Sequence, residues 1–250
     1  MAGVETKMEH SKFNRTEFKG KIIGMILGDG CLYRRKNACL QLGHSLKQKE
    51  YFEKKVSVLQ ELTEVKVRIY GNAIFARTKC HPLYTSLAER FYHQGRKTVD
   101  NFLMKTLSVE GLAYWYFDDG TLKDGVLIQR AVLCTHAFNF AEQQLMAYWL
   151  FKKFGLRFEP KRHGKYFVLK CNRNDTEKLI EMVRPFATSD MKYKLDNHKI
   201  RSNARLFVCE GCGKECFGEN RLRKFCSKKC QQTHKNNFHL QNGTRQIVKI

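Results

Sequence analysis

Ile22–Gly30 reads IIGMILGDG, and Leu112–Gly120 reads LAYWYFDDG. Each is an apolar run that closes on an acid followed by glycine, and Asp29 and Asp119 stand 90 positions apart. A run that is apolar all round predicts a buried helix. A pattern repeated at this spacing implies two similar halves, each placing one carboxylate at the foot of such a helix. Gly24 and Gly28 are four apart and share one helix face; small residues there let two helix backbones pack closely. If 22–28 packs against 112–118, Asp29 and Asp119 converge just beneath the joint. The second run has Tyr114 where the first has Gly24, and Asp118 where it has Gly28. Asymmetric packing is expected, a bulky side chain meeting small ones. Gly30 and Gly120 are expected to end the helices in the left-handed conformation common at that position.

The sequence around the two runs repeats one order of elements. In the first half, helix 16–27 is followed by strands at 31–36 and 38–44, then by a helix at 46–62 whose apolar stripe is Tyr51, Phe52, Val56, Leu59 and Leu62. VKVRIY (65–70) alternates Val65, Val67 and Ile69 with Lys66, Arg68 and Tyr70, the period of a strand. Gly71-Asn72 marks a turn, 73–79 returns as its hairpin partner, and Pro82 opens a helix to about His93. In the second half the buried helix 112–117 precedes strands at 126–129 and 131–135, a helix at 140–154 ended by Gly155, a hairpin of 156–161 and 165–171, and a helix at 175–186. The fold class is therefore α+β, two pseudo-symmetric αββαββα halves. The boundaries read as a tail over 1–15, the halves over 16–108 and 109–196, a basic linker over 197–206, and a small module over 207–250.

Charge points to the partner. The chain of 250 residues carries 46 Lys and Arg against 24 Asp and Glu, a net charge of +22. So large an excess opposes folding by self-repulsion and suits a polyanion. Membrane insertion is the other use of positive charge, but no apolar run reaches the roughly 18 residues a spanning helix needs, and MAGVETKMEHSKFNRTEF lacks a signal-peptide core. An intracellular protein, of cytoplasm or organelle matrix, is expected. Its ten cysteines would not form a disulfide frame there. Two carboxylates converging in a strongly basic protein can ligate a hard divalent cation such as Mg²⁺ or Mn²⁺ together with phosphate oxygens. That chemistry is metal-assisted cutting of a nucleic acid.

The two motifs resemble those of the LAGLIDADG homing endonucleases, in the class where one polypeptide carries both. The similarity covers about residues 16–196 and includes CLYRRK after the first motif, KTV at 97–99, and MKYKL at 191–195. It implies a monomeric, sequence-specific double-strand DNA endonuclease in which Asp29 and Asp119 each serve one strand. It also implies that the backbone carbonyls of Gly28 and Asp118 assist the metal, and that Lys97 and Lys194 order water or stabilise the transition state. Asp118 and Asp119 are adjacent acids, and Asp119 is chosen because it matches Asp29 in register. The two sheets would form a saddle in the major groove of a long, nonpalindromic site. By alternation its face should carry Arg35, Gln41, Lys66, Arg68, Arg77 and Lys79 in the first half, and Arg130, His136, Arg157, Lys161 and Lys170 in the second. The alternatives within the family are an intron-RNA-binding maturase and a DNA-binding regulator that no longer cuts.

The last segment is a different kind of sequence. Cys209-x2-Cys212-x13-Cys226-x3-Cys230 has the spacing of a structural zinc site with four thiolates. Gly211 and Gly213 suit the first knuckle, and the second pair reads as a helix start. Cys216 and His234 are further candidates that could replace one ligand. Residues 209–250 hold nine Lys and Arg against three acids, so the module is expected to add a second grip on DNA.

Overall fold

A computed structural model of the chain describes residues 15–123, 130–195, 205–218 and 223–243. They fall into two units, one ending at Leu195 and one lying beyond it.

In the first unit, α1 (Arg15–Leu27) leads into the hairpin β1 (Cys31–Arg34) and β2 (Ala38–Ser45). Next come α2 (Lys49–Gln60), the hairpin β3 (Val65–Tyr70) and β4 (Ala73–Thr78), and α3 (Pro82–Phe91). A two-residue hairpin, β5 (Tyr92–His93) and β6 (Arg96–Lys97), and the short α4 (Asn101–Thr106) connect to α5 (Val109–Asp119). The second half runs β7 (Gly120–Lys123), β8 (Arg130–Leu133), α6 (Phe140–Phe154), β9 (Phe158–His163), β10 (Tyr166–Cys171) and α7 (Arg173–Val183), and closes on 3-10 turns reaching Lys194. Each half builds one antiparallel sheet, ordered β1-β2-β4-β3 and β7-β8-β10-β9. The repeated order expected from the sequence is thus a repeated topology.

Of the boundaries that differ from expectation, three bear on the architecture. The strand after the second motif starts at Gly120, directly behind Asp119, and not at Val126; residues 126–129 lie outside the described ones. Strand β9 begins two residues later than expected, because Leu156 turns into the core. Helix α3 stops at Phe91, and the β5–β6 hairpin that follows had no alternation long enough to read.

The halves join where α1 crosses α5. Ile22, Ile23, Met25 and Ile26 are fully buried there, each contributing about 1.5–3 kcal/mol of transfer free energy. The close approach differs from the one expected. Gly24 faces Gly111, not Tyr114: a Cβ on Gly24 would overlap the Gly111 carbonyl, and one on Gly111 would overlap that of Gly20. Glycines at 20, 24 and 111 therefore set the helix spacing. The Tyr114 hydroxyl instead donates to Glu110 at 2.5 Å, and Glu110 pairs with Lys21 of α1 at 2.8 Å. Gly28 packs against the Asp118 side chain.

Neither motif-closing glycine is left-handed. Gly120 is extended, with φ −82° and ψ 152°, and Gly30 is not among the residues with positive φ. Both are glycine because the chain doubles back on its own helix. A Cβ on Gly30 would lie 2.5 Å from the Met25 carbonyl, and one on Gly120 would overlap Tyr116. The sharp exit lets each acid sit at the helix end with a strand starting at once behind it.

The edge strand β3 breaks the expected pattern. Val67 and Ile69 are 45% and 57% exposed, because β3 is the outermost strand of its sheet. In the second unit, β11 (Arg205–Val208) pairs with β12 (Glu215–Gly218), and α8 (Lys228–Gly243) follows. Arg205 and Leu206, expected in a linker, belong to β11. Among the described residues, no helix is long and apolar enough to cross a membrane.

Candidate active site

Asp29 and Asp119 sit at the ends of the two crossing helices, with Lys97 and Lys194 around them. The Lys97 ammonium donates to the Gly28 carbonyl at 3.2 Å. The Lys194 ammonium donates to the Asp118 carbonyl at 3.2 Å and to that of Gly120 at 2.7 Å. Each lysine thus holds the carbonyl just before a motif acid. The β5–β6 hairpin delivers Lys97, and the 3-10 turn Ser189–Lys194 delivers Lys194. That turn is fastened by the buried Met191 and by Tyr116, whose hydroxyl donates to the Lys194 carbonyl at 2.9 Å.

The electrostatics of the four groups oppose one another. Burial, then the Asp118 charge, raise Asp29 above the ordinary carboxylate range. Burial, then the Asp29 and Asp118 charges, push Asp119 up to about 7. Desolvation lowers Lys97 and Lys194, against the pull of the same acids. Two half-buried carboxylates that repel each other form a donor set whose charge a hard divalent cation neutralises, so these residues fit Mg²⁺.

Asp118 has a different place. Its carboxylate is wholly buried and paired with the equally buried Lys55 of α2, at 2.8 and 2.9 Å. Tyr51 donates its hydroxyl to the same carboxylate at 2.8 Å, and the Asp29 N–H donates to it at 3.1 Å. The third Lys55 proton goes to His44 Nε2 at 3.1 Å. Burial and Lys55 hold His44 down to about 4, so it is neutral near pH 7. Atoms of Asp29, His44 and Asp118 lie within 4.8 Å of one another, but Lys55 already neutralises Asp118. None of Tyr51, Lys55 and His44 was expected here; the only sign was a lysine and a histidine inside otherwise apolar patterns.

Strand register settles which side chains share the open face of each sheet. Gln41, Arg77 and Lys66 lie directly across β2, β4 and β3, and Gly43, Phe75 and Arg68 form the next row. Gln41, Lys66, Arg68, Phe75 and Arg77 line one hollow, together with Tyr70 and Lys79. Arg35 joins it through Tyr33: its Nε donates to the Tyr33 hydroxyl at 3.1 Å, and Arg77 lies over the Tyr33 ring. In the second sheet, pairing of β7, β8, β10 and β9 puts Arg130 and Lys170 on one face, with Lys161 in the same register. His136 Nε2 lies 3.3 Å from His163 Nδ1 beside Tyr166. Arg157 continues the alternation of Glu159 and Lys161, but it is also tied down locally. Its guanidinium is held at 2.8 Å by Asp175, at the start of α7. Alternation placed Tyr70 with Lys66 and Arg68, but Tyr33 and Phe75 were missing from the expected face, because alternation alone does not separate a stacking surface from a core.

Residues 19–179 match the model of the LAGLIDADG DNA endonuclease family. The chain belongs to that family. Its fold matches the homing endonuclease I-WcaI bound to its DNA recognition sequence, with a TM-score of 0.63 and 26% identity over 72% of this chain and 86% of that one. A probable intron-encoded DNA endonuclease 3 of Mycosarcoma maydis is 29% identical over 125 residues, covering 48% of this chain and 90% of that protein. The protein RecA of Mycobacterium gastri is 28% identical over 191 residues, covering 70% of this chain; this chain spans only 46% of that RecA.

The family model ends before the cysteine cluster of this LAGLIDADG chain. Sulfur atoms of Cys209, Cys212, Cys226 and Cys230 lie within 4.8 Å of one another. The Cys212–Cys226 and Cys226–Cys230 separations are 3.8 and 3.3 Å; a tetrahedron with Zn–S bonds of about 2.3 Å needs about 3.8 Å. The Cys226 N–H pulls Cys209 down to about 6, as suits a thiolate, whereas the Cys230 thiol pushes Cys226 up. Crowded thiols of this kind fit Zn²⁺. Gly213 takes a φ of +67° at the first knuckle. Cys216 lies outside the cluster, its thiol donating to the Lys214 carbonyl at 3.5 Å, and His234 packs on Phe225.

Proposed function

We propose that this chain cuts double-stranded DNA at a long, nonpalindromic site, hydrolysing one phosphodiester bond in each strand. The observation that carries this reading is the matched pair of bonds around the motif acids, Lys97 to the Gly28 carbonyl and Lys194 to the Asp118 carbonyl, both 3.2 Å. Asp29 and Asp119 would hold a divalent cation, which would supply an acidified water and a counter-charge for the phosphate. Asp29 and Asp119 each serve one strand. Lys97 and Lys194, desolvated beside the acids, order water and offset charge that develops on the phosphate and leaving oxygen.

The open sheet faces bind the major groove. Arg77 and Gln41 are suited to guanine and adenine edges, Lys66 and Lys79 to phosphates, and Tyr70 and Phe75 give the hollow its apolar wall. A nonpalindromic site follows from unlike halves. Gln41 opposes Cys31, two positions past Asp29, and Val132 opposes Thr121, two positions past Asp119. The four cysteines hold Zn²⁺ as a structural ion, and the basic module around it adds contacts to the DNA backbone.

A plasmid library of genomic fragments tests the reading. Incubated with Mg²⁺, the protein should give one discrete double-strand cut that EDTA prevents. Asp29→Asn/Asp119→Asn should bind the same fragment without cutting it. Specific binding by the unmodified protein with no cutting in Mg²⁺ or Mn²⁺ would overturn the endonuclease reading.

A further inference from the structure

Lys55 and Asp118 form a buried ion pair that the hydrolysis itself does not use. Replacing such a pair by apolar side chains is often neutral or stabilising, so stability alone does not explain it. Its geometry is complete. Asp118 accepts from Lys55 through both oxygens, from Tyr51 through Oδ1, and from the Asp29 N–H through Oδ2. Lys55 gives its remaining proton to His44 Nε2. His44 then carries its proton on Nδ1, which lies 3.4 Å from Gln48 Oε1 and 3.9 Å from Asp29 Oδ2. Every polar atom of the network is matched, and both ends of it reach Asp29.

The arrangement is one-sided. Asp118 of the second motif reaches over to the first motif's acid and holds its backbone. The matching place in the first motif is Gly28, which has no side chain to return the contact, and whose Cα packs directly on the Asp118 carboxylate. We infer that Asp118, fixed by Lys55 and Tyr51, is a positioning residue for Asp29, so that the strand served by Asp29 depends on this network and the other strand does not. This rests on the one-acid-per-strand reading given above.

Single-turnover cutting is measured on a duplex with each strand labelled separately, and Asp29→Asn first marks the strand that needs Asp29. Lys55→Met/Asp118→Ala removes both buried charges together and leaves no unpaired ion; its melting curve reports folding. Lys55→Met/Asp118→Asn keeps an oxygen for the Asp29 N–H. The alanine pair should slow the Asp29-dependent strand by roughly tenfold or more, with the other strand within about twofold. The asparagine pair should recover most of that loss. Should the alanine pair unfold, Tyr51→Phe, which removes one donor fixing Asp118, should show the same bias between strands. Equal slowing of both strands, no slowing in a folded variant, or no recovery with asparagine overturns the inference. If the unmodified protein cuts neither strand, the endonuclease reading falls first and this inference with it.

Discussion

The Lys97 ammonium donates to the carbonyl oxygen of Gly28 at 3.2 Å across 69 positions of sequence. The bond fixes the last turn of α1 just where Asp29 emerges, and it keeps a positive charge at the site without neutralising Asp29 directly. Lys97→Met should therefore act on the chemical step. On the strand it serves, kcat should fall about a hundredfold with KM little changed, so nicked plasmid should accumulate. Lys194→Met should do the same to the opposite strand. A gel assay of nicked against linear product over time checks both.

Gly24→Ala tests the helix seam. The added methyl would overlap the Gly111 carbonyl, and backbone of one helix cannot yield without moving the whole helix. A loss of about 3 kcal/mol is expected, the upper end of ordinary overpacking. The urea midpoint should fall with an unchanged slope.

The ion pair of Arg157 with Asp175 governs acid stability. Arg157 and its neighbours hold Asp175 well below the usual carboxylate range. A depressed carboxylate stabilises the fold above its unfolded value, about 3.9, and loses that contribution as pH falls through its folded value. Arg157→Ala should lower the melting temperature at pH 7, and the gap from the unmodified protein should begin to narrow below about pH 4 and keep narrowing as pH falls toward the depressed folded value. Specific DNA affinity should change little, because this guanidinium is committed to the start of α7.

Chelation tests the second unit. Metal analysis should find about one zinc per chain, and Cys209→Ser or Cys230→Ser should abolish it. Cys216→Ser should leave the zinc content unchanged, since its sulfur lies outside the cluster. With Co²⁺ in place of zinc, the absorption should be that of a tetrahedral thiolate site.

What could be read in advance was whatever depends on local period or on the motif pattern. The two motifs placed Asp29 and Asp119 in register, and antiparallel pairing turned simple alternation into the row Gln41–Arg77–Lys66. The family pattern singled out Lys97, but the hairpin carrying it is only two residues per strand, too short for any period. Helix packing was out of reach. Gly111 lies outside the second motif, and only the crossing of α1 and α5 shows that it, and not Tyr114, faces Gly24. Lys55 falls on the apolar stripe of its helix, between Tyr51 and Leu59, but only the packing of α5 shows that Asp118 is the acid it pairs with. Val67 and Ile69 fit a buried face, but their strand is the edge of its sheet.

The most direct measurement is strand-resolved cleavage of the target by Asp29→Asn and by Asp119→Asn, each assayed in Mg²⁺ on separately labelled strands. Two acids at one joint, each serving one strand, predict complementary nicks: each variant still cuts one strand, and the two variants spare opposite strands. Undiminished double-strand cutting by either variant, or both variants sparing the same strand, would contradict a site built from Asp29 and Asp119 together.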